Sequence, residues 1–155
     1  MSETREIPNE VLLAEVSSLV AEGHPVVLKT KGYSMMPFIH GWKDSVELRL
    51  PEGGYEEGDI ALAEIAKGRY VLHRIRSIEG DKVTLKGDGN LRGEEHCRPE
   101  DIKAKAYYIL RPAGKGEKRI ECTSEKSKQR AAKWNEIPAW ARRYIQAIYR
   151  RIIGI

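Results

Sequence analysis

The 155-residue sequence predicts a mainly β fold, an antiparallel sheet or partial barrel, with an N-terminal helix and a C-terminal amphipathic helix. Three observations carry this. Short runs between Pro25 and Tyr108 alternate apolar and polar side chains, as half-buried strands do. Turns containing Gly or Pro separate them. At either end, apolar residues recur at helical spacing instead.

The elements follow in order. Leu12, Val16, Leu19 and Val20 make one apolar stripe on a helix over 9–22, and Gly23 suits its left-handed end. Val26, Val27 and Leu28 start a strand that runs into Thr30 and Lys31. Residues 45–50, S-V-E-L-R-L, alternate cleanly. Runs over 60–65 and 70–78 flank the turn signal Lys67-Gly68. Gly80-Asp81 makes another turn, K-V-T-L-K alternates over 82–86, and 104–110 gives a last strand. Residues 111–128 are polar and contain glycine, and read as a linker or surface hairpin. Over 134–153, Ile137, Ala141, Tyr144, Ile145, Ile148 and Ile152 share one helical face, with Arg142, Arg143, Gln146 and Arg150 largely opposite. Pro138 falls in the first turn of that helix, where its missing N–H costs nothing. The expected organisation is a domain over 1–110, a linker or hairpin over 111–128, and a basic amphipathic helix within 129–155.

Composition narrows the function classes. Cys97 and Cys122 are the only cysteines, which excludes a disulfide scaffold and a four-cysteine zinc site. The longest stretch without Lys, Arg, Asp or Glu is 32–42, far short of the roughly 20 residues a spanning helix needs. Glu3, Glu6, Glu10 and Glu15 sit where a secretory leader would be basic and apolar. The expected location is cytoplasmic. The net charge of +4 is a sum of unlike parts. Residues 125–155 hold eight basic and two acidic side chains, so the remaining body is slightly acidic.

Gly32-Tyr33-Ser34-Met35-Met36-Pro37 is the most informative stretch. A flexible Gly, a small hydroxyl and a Pro directly after a strand can hold Ser34 with its hydroxyl exposed. The plainer alternative is a turn anchored by buried methionines. A serine nucleophile needs a base. His24 and His40 lie in turns and His96 in a charged loop. His73 sits mid-strand on the same face as Val71 and Ile75 and should point inward, as a base or as a hydrogen-bonded core histidine. Asp88, between Gly87 and Gly89, is the candidate carboxylate to fix its tautomer, the alternative being a simple Asp-Gly turn.

Gly-x-Ser-Met-x-Pro, then Gly58-Asp59-Ile60, His73-Arg74-Ile75 and Lys86-Gly87-Asp88-Gly89-Asn90 occur in that order. This resembles the signal peptidase I family, in the branch that uses Ser and His in place of Ser and Lys, and is similar to the self-cleavage domain of SOS repressors. The resemblance covers about residues 26–110. It implies a signal-peptidase-type or repressor-type sheet and a serine endopeptidase that works through an acyl-enzyme without a cofactor or metal. Ser34 would match the nucleophile, His73 the general base and Asp88 the orienting acid. Gly32, Met35 and Pro37 would shape the site and its oxyanion hole, and Gly58 and Asp59 a structural turn. The family's Ser-Gly before the nucleophile is Gly32-Tyr33 here, and its spanning segment has no counterpart in the sequence. The expected substrate is therefore a dedicated peptide or protein precursor rather than the secretory preprotein pool. The alternative is a catalytically idle or self-cleaving regulatory or binding module on the same fold.

The basic tail matches no pattern. Trp134, Trp140, Tyr144 and Tyr149 with the arginines over 134–153 suit an interfacial helix on an anionic membrane, which would make the protein peripherally membrane-associated. The same helix could instead pack on the body or on a second copy of it. Its Ile-rich and Tyr-rich face speaks against nucleic acid as the partner.

Overall fold

Alternating strands must pair and then cover their apolar faces, and these strands pair into a single sheet with a core on each side. The computed structural model describes residues 9–155, with side chains from residue 11 onward. Eight strands form one unclosed antiparallel sheet: β1 Val26–Lys29, β2 Ser45–Arg49, β3 Ile60–Ala66, β4 Arg69–Glu79, β5 Lys82–Lys86, β6 Glu95–Cys97, β7 Ile102–Ala113 and β8 Gly116–Glu121. Their order is β1-β2-β7-β3-β4-β5-β6, with β8 also on β7. A 3-10 turn over Pro99–Asp101 leads into β7. Helix α1, Asn9–Ala21, precedes the sheet, and α2, Glu125–Glu136, and α3, Ala139–Ile153, follow it.

The sheet has two apolar sides. The larger core joins Val16 and Val20 of α1 to Met35, Ile39, Val46, Leu48, Ile60, Leu62 and Ile109. The smaller joins Ala61, Ala63, Ile75, Val83, Leu85 and Ile102. In α1, Leu13 packs on the core while Leu19 faces solvent. Gly23 ends the helix at φ +92.

One seam stays open. β1 pairs only with β2, through Val26↔Leu48 to Lys29↔Ser45. The first half of β4 pairs only with β3, because β5 joins at Arg74↔Lys86 and beyond. The free edges of β1 and of residues 69–73 therefore line a common gap.

Of the 111–128 stretch, residues 111–121 belong to a surface hairpin and 125–128 begin α2. β7 extends to Ala113, turns, and β8 returns with Tyr108↔Glu121 to Ala113↔Gly116 in register. The C-terminal helix expected over 134–153 is two helices. Pro138 pushes the preceding Ile137 into extended backbone, at φ −67 and ψ 132, and ends α2 there. Pro138 then caps α3 from outside instead of lying in its first turn. α2 starts at Ser124, whose hydroxyl accepts from the Ser127 N–H. It buries only Ala131 and Trp134, so no apolar stripe announced it.

Candidate active site

The loop carrying Ser34 is closed at its base. The Trp42 N–H donates to Thr30 O at 2.9 Å and the Thr30 N–H to Asp44 O at 3.0 Å, so residues 31–41 leave and re-enter at one point. Gly32 and Gly41 meet there. Gly32 has φ +78, and a Cβ on Gly41 would overlap the Gly32 carbonyl. Met35 and Met36 are buried, which pins the loop from below. Pro37 follows through a cis peptide bond. From outside, Asp44 holds the loop through the His40 N–H at 2.7 Å and through Arg111.

The Gly87-Asp88-Gly89 loop lies against the same backbone. The Gly89 N–H donates to Ser34 O at 2.8 Å. A Cβ on Gly87 would overlap Ser34 O, and one on Gly89 would overlap Tyr33 O. These two glycines are required by close approach. They let one loop seat the other, which sets where Ser34 sits.

The carboxylate of Asp88 does not reach His73. Arg74 takes it, with Nε 2.9 and 3.0 Å from its two oxygens and Nη2 2.7 Å from Oδ2, all buried. Arg74 also donates to Gly58 O at 2.7 Å. The carboxylate on His73 is that of Glu95, whose Oε1 is hydrogen-bonded to Nδ1. The reason is geometric. Successive residues on a strand face opposite sides, so His73 and Arg74 cannot share one partner. β5 ends opposite Arg74, and Glu95 on β6, paired to Leu85, reaches His73 from the next strand. His73 does share its face with Val71 and Ile75 and is buried, as the alternation predicts.

Glu95 left only a faint signal in the sequence: a carboxylate in a three-residue strand within a charged stretch. His96, expected in a loop, is on that strand with Nδ1 3.2 Å from Thr84 Oγ1. His24 is an exposed turn residue. His40 is buried, and desolvation with the nearby Arg111 charge lowers its pKa below the usual histidine value. Its Nε2 lies 2.9 Å from Tyr149 Oη.

Ser34 and His73 line one cavity of about 280 Å3 in the open seam, together with Leu12, Leu13, Leu28, Met35, Ile39, Tyr70 and Leu72. With Nδ1 on Glu95, the remaining ring nitrogen of His73 is Nε2. Among the described residues neither Nε2 nor Ser34 Oγ makes a hydrogen bond, and none joins the two side chains. The Ser34 N–H likewise has no acceptor among them.

Gly58 and Asp59 form a turn away from this cavity. Gly58 has φ +94 under the Lys128 side chain. Asp59 is buried with Lys105 Nζ at 3.1 Å and Lys128 Nζ at 3.2 Å. Trp134 of α2 is buried too, its indole N–H donating to Asp88 O at 2.8 Å. No group of three or more His, Cys, Asp or Glu placed to hold a metal occurs among the described residues. No helix among them is long and apolar enough to cross a membrane. No protein-family model matches the chain, and no curated protein matches it.

Proposed function

We propose that this chain is a serine endopeptidase of the signal-peptidase-like class that cleaves a dedicated peptide or protein precursor through an acyl-enzyme. The observation that carries the reading is the His73–Glu95 pair opening onto the cavity that Ser34 also lines. A carboxylate on Nδ1 fixes the tautomer that leaves Nε2 free to accept a proton, and it stabilises the imidazolium that results. Ser34 Oγ attacks the scissile carbonyl as Nε2 takes its proton. The oxyanion finds the free Ser34 N–H, a donor of the kind worth about 3 kcal/mol in acyl transfer. The leaving amine takes the proton from His73, and a water activated by Nε2 then hydrolyses the Ser34 ester.

The open seam suits the substrate. Two unpaired strand edges, β1 and residues 69–73, face a gap that an extended peptide fills by adding main-chain hydrogen bonds. The apolar lining from Leu12, Leu28, Met35, Ile39 and Leu72 accepts an apolar side chain next to the scissile bond.

The idle-module reading has one observation in its favour, the absence of a Ser34–His73 hydrogen bond. Free enzymes often hold such pairs loosely, so the peptidase reading survives it. Self-cleavage needs an accessible scissile segment in the chain itself, and the polar stretch 111–128 is tied up in the β7–β8 hairpin and the start of α2. The test is digestion of a diverse peptide pool with products mapped by mass spectrometry. The native chain yields defined products, and Ser34→Ala and His73→Ala, both folded, yield none. Products from both variants would sink the assignment.

A further inference from the structure

α3 is packed inside out. An amphipathic helix on a globular body normally turns its apolar stripe inward. Here the polar side faces the body. Arg142 is buried and donates to Ile137 O at 3.0 Å. Gln146 Nε2 is buried without a hydrogen-bond partner. Tyr149 meets His40, Arg150 lies over the Tyr33 ring at 4.8 Å, and Lys43 donates to Ile153 O. The outward side holds Trp140, Tyr144, Ile148 and Ile152, which are 70, 67, 61 and 75% exposed. At 1.5 Å per residue this stripe runs about 18 Å along the surface.

We propose that this stripe docks the protein in the plane of an anionic lipid bilayer. Charge decides the occupant. α3 carries four arginines and no acidic residue. One border of the stripe is Arg143 and Arg151, both exposed. The other border, at Ile145 and Tyr149, opens on a cavity of about 620 Å3 rimmed by Lys118, Arg119 and Arg130, with Glu121 its one carboxylate. At the N-terminal end, Trp140 and Arg143 share a cleft with Leu91 and Arg92. An apolar strip edged with cations matches acyl chains below anionic headgroups, with Trp140 and Tyr144 at the boundary. A second copy is the poorer fit, because a two-fold pairing of this face would set arginine against arginine.

The test is co-sedimentation of the full chain with phosphatidylcholine vesicles, with and without phosphatidylglycerol. Binding is expected only to the vesicles that contain phosphatidylglycerol, weakening as salt rises. Trp140→Ser with Ile148→Ser, both at exposed positions, should lower that binding on the order of 100-fold. Arg143→Ala and Arg151→Ala should each lower it about fivefold. The proposal is overturned if the phosphatidylglycerol vesicles leave the chain in the supernatant, or if the Ser pair binds as well as the native chain. It is equally overturned if analytical ultracentrifugation finds a dimer that the Ser pair abolishes, which would assign the face to a second copy.

Discussion

His73 and Arg74 are neighbours that need one carboxylate each. Arg74 is buried and always charged, so leaving it unpaired is costly, and Asp88 is committed to it. Glu95 serves His73 instead. The two carboxylates should therefore fail differently when neutralised. Glu95→Gln keeps the fold and lowers cleavage on the order of 10³-fold, because the imidazolium loses its counter-charge and its fixed tautomer. Asp88→Asn lowers the stability by about 3–5 kcal/mol, because the Arg74 charge stays buried without its partner. Denaturant melts and cleavage rates measured on both variants check this. The strand-end loop of Ser34 and the inward face of His73 were legible in the sequence, since each is fixed locally; the cavity they share was not, because it depends on where β1 and β4 leave the seam open. The acid was not. Two carboxylates, one histidine and one arginine lie in adjacent loops and strands, and only the register of β5 and β6 decides which pairs form. In the sequence the glycines beside Asp88 read as turn formers, yet their role is the close seat of the Ser34 backbone.

At the scale of elements, α2 is a brace for the site. Trp134 holds the Asp88 carbonyl, and Lys128 reaches Asp59 and Glu56 over the Gly58 turn. Trp134→Ala should cost about 3–5 kcal/mol, the range for emptying a buried aromatic site, and should loosen the loop that seats Ser34. A thermal melt with a parallel cleavage assay measures both effects. Strand periodicity made the sheet readable because each strand alternates on its own. The hairpin and α2 were harder to read. β8 has one half-buried residue, Ile120, in an otherwise exposed strand, and α2 is held by two buried side chains and a serine cap. The break at Pro138 was written in the sequence, but the apolar spacing on either side of it ran continuously enough to read as one helix.

Across the whole molecule, the division of charge acquires a geometry. Part of the tail's positive surplus is spent inside, with Lys128 on Asp59 and Arg142 buried under α3. The remainder, Arg143 and Arg151 among them, borders an apolar stripe on the outer surface. Two of the four tail aromatics, Trp134 and Tyr149, belong to the body, and Trp140 and Tyr144 remain outside. The open seam and the exposed apolar stripe of α3 are thus separate features of one fold, and the seam is the one on which the proposed function stands. Its central claim is that His73 acts on whatever side chain residue 34 carries. Ser34→Cys tests that without any substrate. A thiol beside a histidine ionises well below the free value of about 8.5. The native thiols stay silent, because burial pushes Cys97 up to about 11 and Cys122 up to about 12. Iodoacetamide at about pH 6 should alkylate the introduced thiol at least roughly tenfold faster than in the same variant carrying His73→Ala, with Glu95→Gln intermediate. Equal rates with and without His73 would contradict the account.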